Sequence, residues 1–314
     1  MKRKARRVVI AEFMDETTVE ALAAAHDTLY DPALVDRSVD LMAAVADADA
    51  LIVRNRTRVD AALLAAAPKL KVIGRLGVGL DNIDVVACAR RGVEVIPATG
   101  ANAAAVAEYV IATAMLLLRG AYMATAAVAR GEWPRQPLSN GREIAGKTLG
   151  VVGFGGIGRS TAKLARGLGM RIVGCDPAIS AGSPVWVDEG VACSLLDTVL
   201  READVVTLHT PSTPATHHLI DAPRLATMKP DAVLINTSRG GVVDEAALAA
   251  ALRSGKLAGA ALDVFEREPL AANSVLAGCP NLILTPHVAG LTRESNARVS
   301  SMIAARVAAV LAGC

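Results

Sequence analysis

Residues 148–176 read TLGVVGFGGIGRSTAKLARGLGMRIVGCD, and this stretch decides the fold of the chain. Gly153, Gly155 and Gly158 follow an apolar run typical of a buried strand and precede a helical pattern. The first glycine allows a tight turn, the second lets the backbone approach a pyrophosphate, and the third lets the helix pack closely on the strand. The stretch therefore predicts a βαβ unit that binds a dinucleotide.

The acid at the end of this stretch indicates which dinucleotide is bound. Seventeen residues separate Gly158 from Asp176, which directly follows the apolar run 171–175. A carboxylate at that strand end accepts hydrogen bonds from ribose hydroxyls and repels a 2′-phosphate, which favours NAD over NADP. The N-terminus of the intervening helix offers free N–H groups to the pyrophosphate. Another adenosine ligand, such as S-adenosylmethionine, stays open on this motif alone.

The alternation of strand and helix extends in both directions along the chain. Short runs rich in Val, Ile and Leu alternate with Ala-rich helical patterns, which indicates parallel sheets covered by helices. We therefore predict the α/β class with two doubly wound parallel-sheet domains. The predicted strands are 8–11, 50–53, 70–75, 93–96, 148–152, 171–175, 205–208, 233–236, 259–262 and 282–285. The predicted helices include 17–25, 41–46, 60–67, 85–91, a long helix at 101–129, and 294–311, whereas 131–150 has the composition of a loop or arm.

The composition excludes several classes of protein. Of the 314 residues, 53% are hydrophobic and 3% aromatic, and the formal net charge is +2. A chain this apolar is not disordered. Balanced charge and scarce aromatic residues argue against nucleic acid or a membrane surface as a partner. The most apolar stretch, 103–118, contains Glu108 and is too short to span a bilayer.

The cysteines and the N-terminus indicate the compartment. Five cysteines are widely spaced and form no C-x-x-C pattern, so we predict neither a disulfide framework nor a metal site. The basic N-terminus loses its apolar character at Glu12, which does not match a signal peptide. We therefore predict a soluble cytoplasmic protein with reduced thiols.

Two of the five histidines lie where an open α/β sheet places its ligands, at the carboxyl ends of strands. His209 ends the run VVTLH before Thr210 and Pro211, and His287 follows the run LILTP. His26, His217 and His218 lie in a polar helical pattern and at a loop-to-helix junction.

Charged residues also follow two neighbouring predicted strands. Arg239 follows the run VLINTS, where its planar guanidinium could hold a carboxylate. Asp263, Glu266 and Glu268 follow the predicted strand 259–262. A carboxylate bonded to an imidazole suits a general acid, and hydride transfer to a ketone needs such an acid together with a cation. From the residues alone, either glutamate could serve as this partner.

Together these motifs resemble the D-isomer-specific 2-hydroxyacid dehydrogenases, most closely the short D-3-phosphoglycerate dehydrogenase type. The motifs are GVVGFGGIG with Asp176, LHTP, INTSRGGVVDEAALAAAL, ALDVFEREP and LTPHVAG, and the match begins at LIVRNRT and GRLGVGLDNID. The resemblance implies an NAD-dependent oxidoreductase. Arg239 would bind the substrate carboxylate and carbonyl, His287 would donate the proton, and Glu268 would be its partner.

The resemblance also implies a layout and a cofactor site. A discontinuous, flavodoxin-like substrate domain would comprise 1–98 and 290–314, and an inserted Rossmann domain, 99–289, would bind NAD. The active site would lie in the cleft between them, and the arm at 131–147 would help to build a homodimer. Besides the glycines, the implied NAD site contains Gly156, Ile157, Asp176, His209, Thr210, Pro211, Thr237, Ser238, Arg239, Asp263, His287, Ala289 and Gly290.

The substrate is implied to be a small anionic 2-hydroxy or 2-keto acid. Its carboxylate would meet the turn at Gly77, Val78 and Gly79 and the loop Arg54-Asn55-Arg56-Thr57; many relatives have Ser in place of Asn55. Two arginines on this loop suggest a second anionic group, as in 3-phosphoglycerate or sulfolactate. The alternative is a monoanionic substrate with Arg56 as a solvated surface charge.

A rival from another class is an NAD-sensing corepressor of the C-terminal-binding-protein type, which shares the fold and a similar triad. The absence of long Pro-rich or disordered tails argues against it. The triad also argues against S-adenosylmethionine, since it suits hydride chemistry. Because the chain ends just after its last predicted helix, we expect no regulatory domain and no feedback inhibition by serine.

Overall fold

The computed structural model describes residues 5–313, and the chain forms two compact units. Unit 1 comprises Met1–Asn102 and Leu291–Cys314, and unit 2 comprises Ala103–Gly290. In chain order the elements are β1 (Arg7–Ile10), α1 (Glu16–Ala25), β2 (Asp27–Tyr30), α2 (Ser38–Val45), β3 (Ala50–Val53), α3 (Ala61–Ala66), β4 (Val72–Arg75), α4 (Val85–Arg90), β5 (Glu94–Pro97), α5 (Ala103–Arg119), α6 (Thr125–Ala129), β6 (Thr148–Val152), α7 (Gly156–Gly167), β7 (Arg171–Cys175), α8 (Pro184–Asp188), β8 (Ala192–Cys193), α9 (Leu196–Glu202), β9 (Val205–Leu208), α10 (Ala222–Thr227), β10 (Val233–Asn236), α11 (Glu245–Arg253), β11 (Gly259–Leu262), β12 (Leu282–Leu284) and α12 (Arg293–Gly313).

Unit 1 is built on a five-stranded parallel sheet with the order β2-β1-β3-β4-β5. Its central strands are apolar on both faces because helices cover both. One face packs against α2, α3 and α4, and the other packs against α1 and the C-terminal α12. Ile303 and Val307 of α12 are completely buried in this second cluster. Burial of these side chains explains why the last helix belongs to the same unit as the first strand.

Unit 2 is built on a seven-stranded parallel sheet with the order β12-β11-β10-β9-β6-β7-β8. Helices α5 and α7 pack on one face, and α9, α10 and α11 pack on the other. From β6 the chain winds outward through β7 and β8, then returns to β9 on the other side of β6. The carboxyl ends of β6 and β9 therefore flank the switch point at which such sheets bind ligands. The prediction of two doubly wound parallel sheets is confirmed.

Two strands were missed by the sequence analysis, and both lie at an edge of their sheet. β2 reads DTLY and is half-exposed, and β8 has only two residues. An edge strand is covered less completely than a central one, so it needs no continuous apolar run. Polar and short segments of this kind carry little sequence signal.

The prediction of one long helix at 101–129 is wrong. Helix α5 ends at Arg119, because Gly120 adopts a left-handed conformation with φ of +66°. The following segment Ala121–Ala129 is bent by 70° from α5. Within residues 5–313 no unbroken helix combines the length and apolarity needed to cross a membrane. Helix α5 and the bent segment after it reach that length and apolarity only when they are taken together.

Candidate active site

The glycine-rich turn of unit 2 forms a cradle at the end of β6. Gly153 has φ of +93°, and a Cβ built on it would lie 2.6 Å from the His209 carbonyl oxygen. A Cβ on Gly158 would collide with the Gly153 carbonyl oxygen, so both glycines are required by the fold. Gly155 is different, because a Cβ there would meet no atom within 4 Å. The open space at Gly155 lies at the N-terminus of α7, where no side chain caps the free N–H groups.

Because Gly155 and Gly158 have different surroundings, replacing each by alanine should have a different effect. We expect Gly155→Ala to weaken NADH binding about 10-fold with an unchanged Tm, because the methyl group fills the cradle and touches no protein atom. Gly158→Ala should instead lower the Tm by several degrees, through overpacking of α7 on β6. Fluorescence titration with NADH and thermal unfolding measure the two effects. Loss of stability in Gly155→Ala, or normal NADH affinity with normal Tm, would contradict the assignment of the cradle.

Asp176 lies beside the cradle, immediately after β7. Its Oδ2 accepts a hydrogen bond from the Phe154 N–H at 2.8 Å, and its Oδ1 accepts one from the Ala178 N–H at 2.9 Å. The carboxylate is thus held against the glycine-rich turn. This position fits the ribose contact that the sequence spacing predicts.

Polar atoms without partners surround the same switch point. The Nδ1 of His209 and the hydroxyls of Thr210 and Thr237 are buried and have no hydrogen-bond partner within the described part of the chain. They follow β9, which is next to β6, and β10, which is next to β9. A buried polar group without a partner destabilises a protein by about 1–3 kcal/mol. Hydroxyl, phosphate and amide groups of a dinucleotide would satisfy these atoms, so the residues present fit NAD.

The other predicted cofactor residues lie along the same carboxyl edge of the unit 2 sheet. Gly156 and Ile157 begin α7, and the side chain and N–H of Ser238 both donate to the Asn236 Oδ1. Pro211 is exposed beside Thr210. Ala289 and Gly290 follow His287 at the end of this unit.

The two strand-end histidines have different chemistry. Burial lowers the pKa of His209 to about 3, so this imidazole is neutral at physiological pH. Its Nε2 lies 3.1 Å from the Thr207 hydroxyl. A permanently neutral histidine cannot supply a proton to a substrate. His209 is therefore not suited to acid–base chemistry at neutral pH.

His287 is paired with a carboxylate. Its Nδ1 lies 2.9 Å from the Glu268 Oε2, and the other carboxylate oxygen accepts the Phe265 N–H at 3.2 Å. Burial tends to raise the pKa of Glu268, but its hydrogen bond to His287 and the nearby charge of Arg239 lower it overall. The carboxylate is therefore charged at neutral pH and can stabilise an imidazolium. The His287 side chain is 38% exposed, which leaves its Nε2 available to a substrate oxygen.

Arg239 lies on the loop after β10 and approaches the His287–Glu268 pair. It follows Ser238 in an extended conformation, and its Nη1 donates to the Ser238 carbonyl at 2.6 Å. The next residue, Gly240, packs directly on the Phe265–Glu266 peptide, where a Cβ would collide with the backbone. This close approach brings the loop after β10 against the loop after β11. Arg239 thereby comes near enough for its charge to act on Glu268.

Glu266, the other candidate glutamate, has a different partner. Its Oε1 lies 3.0 Å from the His218 Nε2, and it also accepts the Glu245 N–H at 3.2 Å. His218 in turn stacks on His217 at 4.1 Å. Of the two glutamates, Glu268 is the one hydrogen-bonded to the His287 imidazole.

Unit 1 carries the loop predicted to bind substrate, and a buried acid organises it. Glu12, 4% exposed, follows β1 and accepts the N–H groups of Arg54 at 2.8 Å and Thr57 at 2.9 Å. Its second oxygen accepts the Arg56 N–H at 3.3 Å. The Asn82 amide donates to the carbonyls of Arg54 and Thr57 from the other side. The loop is therefore held rigidly by two side chains that the sequence analysis missed.

The two arginines on this loop have different surroundings. Arg54 stacks over Phe13 at 5.5 Å and donates to the Asn296 Oδ1 at 3.1 Å, and burial lowers its pKa. Arg56 is exposed and forms an ion pair with Asp36. The structure thus favours the alternative view of Arg56 as a surface charge. Asn55, between them, is exposed.

The predicted Gly77-Val78-Gly79 turn follows β4. Gly77 has φ of +156°, and Val78 is exposed. The guanidinium of Arg75 packs against Gly77 and donates to the Leu76 carbonyl at 3.0 Å. Arg75 and Glu12 could have been found in the sequence, because each is a charged residue at the carboxyl end of a parallel strand.

Comparison with known proteins gives one consistent result. Residues 111–289 match the family model described as D-isomer specific 2-hydroxyacid dehydrogenase, NAD binding domain. The chain is 54% identical to the (S)-sulfolactate dehydrogenase of Chromohalobacter salexigens, over 93% of this chain and 94% of that protein. It is 42% identical to the D-3-phosphoglycerate dehydrogenase of Methanocaldococcus jannaschii, over 87% of this chain but 52% of that protein.

Solved structures agree with these sequence matches. The TT0316 protein from Thermus thermophilus has a TM-score of 0.85 at 34% identity, covering 98% of this chain and 97% of that one. The D-lactate dehydrogenase from Aquifex aeolicus, complexed with NAD and lactic acid, has a TM-score of 0.83 at 29% identity, covering 98% and 96%.

Proposed function

This chain belongs to the D-isomer-specific 2-hydroxyacid dehydrogenase family and is an NAD-dependent oxidoreductase, and on that premise we propose that it interconverts (S)-sulfolactate and its 2-keto acid. The observation that carries the proposal is the 54% identity to a sulfolactate dehydrogenase along 94% of its length. The phosphoglycerate dehydrogenase of Methanocaldococcus jannaschii is less similar, and the chain spans about half of it.

The stereochemical label is consistent with a D-specific family. Sulfur outranks the carboxylate in the naming priorities, so the sulfonated acid with the configuration of a D-hydroxy acid is called S. The relatives compared with this chain are dehydrogenases, which favours catalysis over the corepressor-like alternative.

We assign the acid–base chemistry to His287. NAD, when bound, supplies or accepts the hydride at C2. In the reducing direction, the His287 Nε2 donates a proton to the carbonyl oxygen, and Glu268 stabilises the imidazolium and fixes its orientation through Nδ1. Arg239 holds the substrate carboxylate and polarises the carbonyl with its planar fork. In the oxidising direction, neutral His287 accepts the hydroxyl proton.

We assign NAD to unit 2, and we assign to unit 1 the contacts that the substrate's anionic groups make in addition to Arg239. The cradle at Gly153–Gly158, Asp176 and the buried polar atoms after β9 and β10 support the first assignment. The turn at Val78 and Gly79 and the loop at Arg54–Thr57 support the second.

We assign the sulfonate to Arg54 in preference to Arg56. Arg54 is partly buried, and its guanidinium donates to the Phe13 carbonyl and the Asn296 Oδ1, while the charge of the nearby Glu12 only partly offsets the effect of burial on its pKa. A partly buried cation whose direct partners are neutral is better stabilised when an anion binds beside it. Arg56 already has Asp36 as a partner in solvent. Arg75, beside Gly77, adds positive charge to the same unit.

A substrate panel tests this assignment. The variants are wild type, Arg54→Gln, Arg56→Gln and the control Arg58→Gln, which alters an exposed arginine just beyond the loop. The substrates are (S)-sulfolactate, D-3-phosphoglycerate and D-lactate, with NADH absorbance as readout. We expect kcat/KM for sulfolactate to exceed the others at least 10-fold in wild type and to fall about 100-fold in Arg54→Gln. Preference for 3-phosphoglycerate, or equal kcat/KM for all three, would overturn the sulfolactate proposal.

The pH dependence should separate the two glutamates. Reduction of the keto acid requires the imidazolium, so its rate falls as pH rises and the imidazolium is lost. In Glu268→Gln the stabilising charge is absent, and we expect this fall to move toward lower pH. Glu266→Gln, which removes the partner of His218, should leave the profile in place. Equal shifts in both variants, or none in Glu268→Gln, would refute the role of Glu268. The profile of kcat against pH measures this.

We also propose a homodimer that works in the cytoplasm. Large apolar side chains are exposed on the last turn of α5 and the segment after it, namely Met115, Tyr122, Met123, Val128 and Trp133, the last 79% exposed. A second copy of the chain would cover this surface. Cys88, Cys175, Cys193 and Cys279 are unpaired, which suits a reducing compartment; Cys314 lies outside the described residues.

A further inference from the structure

A chain of hydrogen bonds links helix α5 to the turn that carries His287. The Tyr109 hydroxyl lies 2.6 Å from the Thr285 Oγ1, which in turn donates to the Asp263 Oδ1 at 2.6 Å. Asp263 is 2% exposed and accepts the N–H groups of Val288 and Ala289, each at 2.8 Å. One buried carboxylate therefore joins two side-chain hydroxyls to the backbone on the far side of His287.

The turn needs such support because His287 adopts an uncommon conformation. Its φ is +55°, in the left-handed region that side chains other than glycine rarely occupy. Its N–H donates to the Thr285 carbonyl at 3.0 Å, and the Thr285 N–H donates to the Leu262 carbonyl at 3.1 Å. A conformation of this kind persists only where surrounding contacts hold it. Asp263 and Thr285 supply those contacts.

We propose that Tyr109 and Thr285 are positioning residues that act through Asp263 to hold the His287 imidazole against Glu268. The proposal rests on the proposed role of His287 as the proton donor. Neither Tyr109 nor Thr285 was identified from the sequence, because a tyrosine inside a long apolar helix and a threonine at a strand end are common packing residues.

The directions of the bonds follow from the charges. Burial and the charge of Asp263 raise the pKa of Tyr109, so its hydroxyl keeps its proton at physiological pH. Asp263, as a carboxylate, can only accept, so the Thr285 hydroxyl donates to it and is free to accept from Tyr109. Every member then has a defined role, and bonds in such a chain strengthen one another. Removal of one hydroxyl should loosen the whole turn.

Four variants test the chain. Thr285→Val removes the hydroxyl at nearly constant shape, Thr285→Ser retains it, and Tyr109→Phe removes only the first member. The control Thr113→Val lies one turn along α5, where the threonine hydroxyl bonds only to the backbone of its own helix. For each, we would measure kcat and KM for the keto acid, the Kd of NADH, the Tm, and kcat against pH.

We expect kcat to fall about 10- to 100-fold in Thr285→Val and about 3- to 10-fold in Tyr109→Phe, with the Kd of NADH within about threefold of wild type. A fifth variant that combines Tyr109→Phe with Thr285→Val should be no worse than Thr285→Val alone, because both hydroxyls act in one chain. Thr285→Ser should restore most of the activity. In Thr285→Val and Tyr109→Phe, the reduction rate should begin to fall at a lower pH than in wild type, as in Glu268→Gln. Thr113→Val should leave kcat and the pH profile unchanged.

Two results would overturn the proposal. The first is a normal kcat and pH profile in Tyr109→Phe, with or without a lower Tm. The second is equal loss of kcat in Thr285→Val and Thr285→Ser. His287→Ala, measured beside them, separates this failure from failure of the proposed function. If that variant keeps its activity, the acid role itself is wrong; if it is inactive while the hydroxyl variants behave as wild type, only the positioning role is wrong.

Discussion

Replacement of His287 by alanine should lower kcat about 10³- to 10⁴-fold, while the Kd of NADH stays within about threefold of wild type. The imidazole is the proposed source of the proton, and its Nδ1 is already engaged by Glu268 at 2.9 Å. His209 and His218 are poor replacements for it, because burial keeps His209 neutral and His218 is bonded to Glu266. The loss should therefore appear in kcat and not in cofactor binding.

Steady-state kinetics and fluorescence titration with NADH measure these two quantities. The matched control is His26→Asn, which changes a histidine at the end of α1 in unit 1. The control should retain wild-type kcat. A His287→Ala enzyme within 10-fold of wild type would show that the proton comes from another source, such as bound water.

Replacement of Arg239 by alanine should lower kcat/KM about 10³-fold, with effects on both kcat and KM. The guanidinium is proposed to hold the carboxylate and to polarise the carbonyl, so it acts on both the bound substrate and the transition state. Arg239→Lys should recover only part of the loss, because an ammonium group cannot form the planar two-point contact. Arg201→Gln, an exposed arginine of α9, serves as the control.

The Arg239→Ala variant should also show a specific change in pH dependence. The charge of Arg239 contributes to the lowered pKa of Glu268, so its removal should raise that pKa. Glu268 would then become protonated at a higher pH than in wild type. The loss of residual activity on the acid side of the profile should therefore move to higher pH. A profile that keeps its acid limb in place would indicate that Arg239 and Glu268 do not interact in solution.

Much of the fold could be predicted because the apolar runs that indicate its buried strands are local features of the sequence. The central strands β3, β6, β7, β9, β10 and β11 have the predicted bounds. Each is buried on both faces and therefore reads as a continuous apolar run. The edge strands β2 and β8 carry no such run and were missed. The bend after α5 was also missed, because a single Gly120 was not taken as the end of the helix.

The site could be predicted only in part. Strand-end positions and motif resemblance together identified Arg239, Glu268 and His287 as candidates. Glu12 has a signal in its position after a parallel strand, but Tyr109 has none, because a tyrosine inside an apolar helix is a common packing residue. Their roles appear only when the distances to Arg54, Thr57 and Thr285 are known.

By itself, then, the sequence determined two parallel α/β sheets, the dinucleotide cradle and the strand ends that carry the candidate catalytic residues. These follow from apolar runs and glycine spacing, which act over a few residues. Only the tertiary structure decided that Glu268, and not Glu266, meets His287, and that Arg54 is desolvated while Arg56 pairs with Asp36. The physical reason is that the direction of a loop side chain is set by packing against segments distant in sequence, as where Gly240 rests on the Phe265–Glu266 peptide.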